Sequence, residues 1–166
     1  MSLLSHTRRS GLVALAALAA AIGLALPASA AGAAPAAQAQ QLQARADYYL
    51  ATMGGVQVAP NQIDLDGATV HLLAPNSPAY VCRYGHMCAY GHQQFVGELP
   101  DDVVDMYNCR DYYIPWGGRG SWINNQTTGT SADFKDGDGI VRDATGPAYS
   151  QHPDFPWGWV WYVKPC

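Results

Sequence analysis

The sequence is poor in glutamate, and this shortage bears on its fold class. Of thirteen acidic residues only Glu98 is a glutamate, and the other twelve are aspartates. Glutamate favours helices, whereas aspartate favours turns and oxygen-rich cation-binding loops. The composition therefore predicts β structure joined by acidic loops.

A cluster of basic residues is also lacking. Beyond residue 30 the chain has seven basic and thirteen acidic residues, a formal charge of −6. Proteins that bind nucleic acids need cations against the phosphates. We therefore expect no nucleic-acid partner.

Motifs of common enzyme classes are absent as well. No Gly-x-Ser-x-Gly surrounds Ser121, and neither His-Glu-x-x-His nor a phosphate-binding glycine loop occurs. Glu98, Asp101 and Asp102 are the only grouped acids that suggest a small glycosidase, and such neighbours in a loop are more often solvated turn residues. The sequence predicts a binding protein rather than an enzyme.

Only one long apolar run is present, over residues 11–26. It follows Arg8 and Arg9 and is followed by an Ala-x-Ala site ending at Ala30. This order predicts a signal peptide over residues 1–30. A membrane anchor is the alternative, but a span needs about 20 apolar residues. We expect a secreted, extracellular protein with no membrane attachment after cleavage.

The four cysteines all lie beyond residue 80, at Cys82, Cys88, Cys109 and Cys166. An even number in an exported chain predicts two disulfides. Zinc binding is the alternative, but no Cys-x2-Cys pair exists. Of the three possible pairings we favour Cys82–Cys88, a short loop, with Cys109–Cys166. The second bridge would stabilise the fold by about 4 kcal/mol.

Residues 31–79 read as a prefix to the main domain. Residues 31–37, rich in alanine and proline, predict a disordered spacer. Apolar residues at helical spacing predict a helix over 38–53, and short strands are expected near 56–59 and 69–73. The segment 38–79 is thus a helix plus hairpin, too small to have its own core.

Residues 80–166 differ from this prefix in composition, with glycine or proline about every ten residues and many aromatics. Short strands with regular turns predict an all-β sandwich or barrel. The clearest strand is expected over 157–163, where three tryptophans and a valine alternate onto one face. We expect this face to lie in the core.

The start of this domain resembles a known family. A cysteine, a glycine, a second cysteine and an aromatic-x4-aromatic-x-Gly hairpin occur in order. The matching residues are Cys82, Gly85, Cys88, Tyr90, Phe95 and Gly97. Residues 116–129 and the Pro-Cys ending also resemble segments of this family. The pattern resembles peptidase inhibitor family I36, the Streptomyces metalloproteinase inhibitors and related βγ-crystallin-like secreted proteins.

The resemblance implies a βγ-crystallin-like Greek-key sandwich in which Tyr90 and Phe95 pack on a folded hairpin. It implies a secreted, monomeric inhibitor of extracellular peptidases, including metallopeptidases. The sequence does not place the inhibitory loop. The alternative is a structural or interaction module that binds calcium without inhibiting.

Calcium is the only cofactor that the resemblance implies. βγ-Crystallin domains bind Ca²⁺ through short loops of paired Asn or Asp followed by a hydroxyl residue. The residues that fit this pattern are Asp101, Asp102, Asn124, Asn125 and Thr128. Their carboxylate, amide and hydroxyl oxygens are ligands of the kind that Ca²⁺ takes.

Overall fold

A computed structural model of the chain describes residues 33–74, 77–95 and 102–166. The described chain forms one α-helix and two antiparallel sheets. The elements are α1 (Ala33–Met53), β1 (Val56–Ala59), β2 (Gln62–Asp64), β3 (Ala68–Leu72), β4 (His86–Tyr90), β5 (Asp102–Met106), β6 (Tyr112–Tyr113), β7 (Arg119–Asn125), β8 (Asp133–Lys135), β9 (Val141–Ala144), β10 (Ser150–Pro156) and β11 (Tyr162–Lys164). The all-β prediction is thereby confirmed for the described residues.

Some predictions lie outside these ranges. The signal peptide over 1–30 is among them, as are Gly97, Glu98 and Asp101. Within the described residues, no helix combines the length and apolar character needed to cross a membrane.

Helix α1 is longer than predicted. It begins at Ala33, so residues 33–37 of the predicted spacer 31–37 are helical. Alanine has the highest helix propensity, and a proline is tolerated in the first turn. The helix ends at Met53, as predicted, where Gly54 has a φ of 74° and donates its N–H to the Leu50 carbonyl. This left-handed glycine is a common way to end a helix.

The larger sheet has seven strands in the order β1-β2-β3-β5-β4-β7-β10. Its third and fourth members, β3 and β5, pair with Val70 opposite Val104. The prefix and the predicted domain therefore share one sheet, and the predicted boundary at residue 80 does not separate two bodies. Strands β1 to β3 and α1 are too few to bury their own apolar faces, and docking on β5 covers them.

The smaller sheet has four strands in the order β6-β11-β8-β9. Aromatic rings join it to the larger one: Phe134 of β8 lies 4.6 Å from Phe155 of β10 and 5.8 Å from Trp122 of β7, between ring centroids. Aromatic pairs at such distances contribute about 0.5–1.5 kcal/mol each beyond their buried area. The core lies between the two sheets and under α1.

The end of the chain departs from the predicted strand over 157–163. A 3-10 helix, Trp157–Trp159, comes first, and β11 begins only at Tyr162. The buried side chains are Trp157 in the 3-10 helix, Val160 directly after it and Val163 in β11. Trp161 is 49% exposed, so the expected face of three buried tryptophans does not form.

Both disulfides join the predicted partners, Cys82 with Cys88 and Cys109 with Cys166. The second ties Cys166, two residues beyond the end of β11, to the segment between β5 and β6. The last strand is thus held from both sides, by β6 and β8 and by this covalent link.

The central strand β5 is buried on both faces of the larger sheet. Val104 and Met106 point into the core, whereas Val103 and Asp105 point to the opposite face. There Val103 joins a small second cluster with the disulfide and Tyr90. The segment before β4 covers this outer face and creates the site described next.

Candidate functional site

Residues 80–85 form an exposed loop, which we call the contact loop. Its outward side chains are large: Val81 is 79% exposed, Tyr84 is 72% exposed, and Arg83 is also exposed. Between them Cys82 turns inward and is bonded to Cys88 in the middle of β4. The loop therefore presents apolar and cationic groups around a buried covalent anchor.

The backbone of the contact loop is held at several points besides the disulfide. The Asn125 side chain donates Nδ2–H to the Cys82 carbonyl at 3.0 Å, and the Asn125 carbonyl accepts the Gly85 N–H at 2.7 Å. The turn closes through His86 N–H to the Arg83 carbonyl at 3.2 Å. Gly85 has a φ of 88°, which glycine adopts without strain. These contacts fix the loop on β4 and β7.

A buried carboxylate lies beneath the contact loop. Asp105 is 2% exposed, and each of its oxygens accepts a hydrogen bond. His86 Nδ1 lies 2.6 Å from Oδ1, and Tyr80 donates its hydroxyl to Oδ2 at 2.5 Å. His71 Nε2 lies 4.0 Å from Oδ2. We call these four residues the Asp105 cluster.

Burial changes the protonation behaviour of this cluster. It lowers the pKa of His71 below its usual value, opposed by the nearby charge of Asp105 and assisted by that of Arg83. It raises the pKa of Tyr80, and the hydrogen bond to Asp105 acts in the same direction. Tyr80 is therefore a phenol donor at neutral pH, and it stacks on His71 with ring centroids 4.4 Å apart.

A cavity of about 350 Å³ opens beside the cluster. Its floor is the outer face of the larger sheet, with Gln62 on β2 and Thr69 on β3. Arg83 of the contact loop and Tyr107 stand at its edge. Its volume is in the range of pockets that hold small organic molecules. The lining is polar, and most of its side chains can donate hydrogen bonds.

The residues predicted to bind calcium do not lie together. The carboxylate of Asp102, on β5 rather than in a loop, pairs with Arg45 of α1 and accepts the Tyr49 hydroxyl at 2.9 Å. Asn124 lies on β7, two strands away and four residues further along the strands. Strand spacings put the two about 13 Å apart along the strands and about 10 Å across them. Asp101 lies outside the described residues.

The side-chain amide of Asn124 already donates hydrogen bonds to other groups of the protein. It is fully buried, and Nδ2 lies within 2.8–3.1 Å of acceptors on Thr130, Thr145 and Gly146. Asn125 forms hydrogen bonds with the contact loop, as described above. Thr128 is exposed in the turn after β7. Within the described ranges no group of three or more His, Cys, Asp or Glu residues is arranged to hold a metal ion.

The structure describes two of the three residues of the predicted aromatic-x4-aromatic-x-Gly motif. Tyr90 and Phe95 meet edge to face, with ring centroids 5.8 Å apart. The Tyr90 hydroxyl donates to the Tyr80 carbonyl at 3.1 Å, so this pair also supports the start of the contact loop. Gly97 lies outside the described residues.

Sequence reasoning missed the Asp105 cluster. Neither Asp105 nor His71 was among the candidate site residues. One signal was available in the strand predicted near 69–73. There Thr69 and His71 share a face opposite to the apolar residues, which marks a polar outer face. The partner strand that supplies Asp105 was not predicted.

Comparison with models of known protein families gives no match, and no curated protein or solved structure matches this chain.

Proposed function

We propose that this chain is a secreted, non-catalytic, monomeric inhibitor of an extracellular peptidase, and that residues 80–85 enter the peptidase cleft. One observation carries the proposal: Val81, Arg83 and Tyr84 project from a loop whose backbone is tied to the sheet. The two disulfides agree with an oxidising, extracellular environment.

Rigidity of this kind favours inhibition over other uses of an exposed loop. A preorganised loop loses little conformational entropy on binding, so more of the contact energy appears as affinity. Protease inhibitors change little in backbone conformation when they bind. Aromatic and arginine side chains supply most of the binding energy at protein interfaces. The contact loop combines a fixed backbone with exposed aromatic and arginine side chains.

The resemblance to the Streptomyces metalloproteinase inhibitors supports the same proposal and extends it to the fold. We propose that the two sheets form a βγ-crystallin-like Greek-key sandwich. In the described chain its hairpin motif brings Tyr90 against Phe95 and places the short disulfide beneath the contact loop. Thermolysin-like metallopeptidases are accordingly the first targets to test.

The test uses the full sequence expressed in a secreting host, with the product purified from the medium. It is titrated against a thermolysin-like metallopeptidase and a trypsin-like serine peptidase, the latter because Arg83 is exposed. Activity of one of these peptidases should fall linearly and approach zero near an equimolar ratio. Full activity of both at a micromolar excess of the protein would overturn the proposal.

A pair of tyrosine variants tests the position of the loop. Tyr84→Ala should weaken inhibition at least tenfold, about 1.4 kcal/mol, because it removes an exposed aromatic contact. Tyr48→Ala is the matched control: Tyr48 is 48% exposed on α1, remote from the loop in the fold. Equal inhibition constants for the two variants would place the inhibitory surface elsewhere.

A further inference from the structure

The cavity beside the Asp105 cluster has a distinct chemical character. Among the described residues that line it the only carboxylate is that of Asp105, which is 2% exposed and has both oxygens engaged. Since a carboxylate only accepts hydrogen bonds, both the Tyr80 hydroxyl and His86 Nδ1 point their hydrogens at it. Because Asp105 is 2% exposed, it offers little surface to a ligand, and other lining groups determine what can bind.

Those other groups are mainly donors. Thr69 and Tyr107 bring hydroxyls, Gln62 brings an amide, and Arg83 brings a guanidinium. Among the ion pairs of the described residues none involves Arg83, although five other arginine or lysine side chains pair with aspartates. A permanent cation with no carboxylate partner among the described residues thus stands at the edge of a half-enclosed polar cavity.

Such a combination suits an oxyanion. Arginine presents a planar fork of donors that matches carboxylate and phosphate groups in a bidentate manner. The low-dielectric wall of the sheet strengthens this attraction relative to open water. A positively charged ligand would meet Arg83 at the entrance and would find the carboxylate of Asp105 already occupied.

We propose that this cavity binds one small oxyanion group, a carboxylate or a phosphate, with Arg83 as its charged contact and the Thr69 hydroxyl as a second donor. The site is distinct from peptidase inhibition and does not depend on it. Arg83 belongs to both the cavity and the contact loop, so a bound anion would also hold that arginine in place.

The experiment is a titration of the secreted protein with inorganic phosphate or with N-acetyl-glutamate amide, followed by NMR of the imidazole and backbone amide groups. Sodium chloride at matched ionic strength is the blank. Saturable shifts confined to His71, His86 and the residues around Arg83 are expected. Shifts no larger than those in chloride, for both probes, would overturn the proposal.

Variants separate this site from the inhibitory surface. Arg83→Gln should weaken anion binding at least tenfold, and Thr69→Val should weaken it severalfold without changing inhibition. Tyr84→Ala should bind the anion as the parent does. Lys164→Gln, which removes one positive charge on the opposite sheet, controls for net charge. Unchanged anion affinity in Arg83→Gln would overturn the assignment of the charged contact.

The two probes distinguish the source of the oxyanion. Tighter binding of phosphate indicates a free phosphate-bearing ligand. Tighter binding of N-acetyl-glutamate amide indicates an acidic side chain, such as one presented by a partner protein. Either result supports an oxyanion site.

Discussion

Asp105 and His86 face each other diagonally across β5 and β4, with His86 Nδ1 2.6 Å from Asp105 Oδ1. The contact lies directly beneath the contact loop, because His86 is the first residue after it. The Tyr80 hydroxyl reaches the same carboxylate from the other end of the loop. Asp105 thereby connects both ends of an exposed loop to the central strand of the larger sheet.

Removal of this carboxylate should destabilise the fold. Asp105→Ala leaves two partly buried donors unpaired and should lower the free energy of unfolding by about 2–4 kcal/mol. Asp105→Asn keeps one acceptor and should cost less, about 1–2 kcal/mol. Urea unfolding at neutral pH measures both. Asp138→Ala, at an exposed turn, is the control and should change stability by less than about 0.5 kcal/mol.

The two disulfides should differ in what their loss affects. Replacing Cys109 and Cys166 by serine opens the longer loop and should cost about 4 kcal/mol, whereas replacing Cys82 and Cys88 should cost about 2 kcal/mol. Inhibition should weaken more on loss of the Cys82–Cys88 bridge than on loss of the Cys109–Cys166 bridge, because the shorter bridge holds the contact loop. Denaturant unfolding and inhibition constants of both double variants provide the measurement. Full inhibition by the variant lacking Cys82 and Cys88 would contradict the role given to the loop.

Stability should fall in mild acid because of His71. Burial lowers the pKa of His71 in the folded protein, so the unfolded chain takes up its proton first, near pH 6.5. The stabilising contribution is therefore complete above about pH 6.5 and decreases as the pH falls towards the lower folded pKa. His71→Gln should flatten the dependence of the melting temperature between about pH 7.5 and 5. His152→Gln, at an exposed position, is measured in parallel as the control variant.

Calcium should leave the melting temperature unchanged. The candidate ligands Asp102 and Asn124 are buried in separate places and are bonded to protein groups. Melting curves with millimolar Ca²⁺ and with EDTA should coincide, since only a ligand that binds the folded state stabilises it. Asn124→Asp should lower stability by about 2–4 kcal/mol, because a buried carboxylate would face the carbonyl oxygens of Thr130 and Gly146. A calcium-dependent rise in the melting temperature of that variant or of the parent would contradict this prediction and support calcium binding.

A glycine in β7 tests the packing behind the loop. A Cβ atom at Gly120 would lie 2.3 Å from the Tyr90 carbonyl oxygen and 2.5 Å from Trp157 Nε1. Gly120→Ala should therefore lower the free energy of unfolding by about 2–3 kcal/mol through overpacking. Gly117→Ala, where nothing lies within 4 Å, is the matched control. Similar melting temperatures for the two variants would argue against the close approach of β4 and the 3-10 helix.

Local patterns predicted much of the framework. The end of α1 at Met53 follows from two successive glycines, and β1 follows from a short alternating segment. The chain's last segment was predicted less well. Alternation over 157–163 indicated a strand, but packing of Trp157 under Tyr90 and Gly120 favours a 3-10 turn there.

Asp102 shows why the candidate site was harder to predict. In the sequence it stands in an acidic run typical of loops, yet it occupies a central strand where Arg45 and Tyr49 satisfy its carboxylate. These partners lie more than fifty residues earlier. Sequence spacing carries no information about such a pair, because only the docking of α1 on the sheet brings it together.

Composition and short-range spacing alone predicted that the chain is mostly β and favoured the short Cys82–Cys88 bridge, since turn residues and closure of a short loop act over few positions. The Cys109–Cys166 bridge, 57 residues apart, was favoured only as the remaining pair. The grouping of His71, Tyr80, His86 and Asp105 depended on the tertiary structure. It requires β3 and β4 to flank β5 in one register, with these side chains on the same face. A shift of one residue in either pairing would turn the side chains to the other face and remove the cluster.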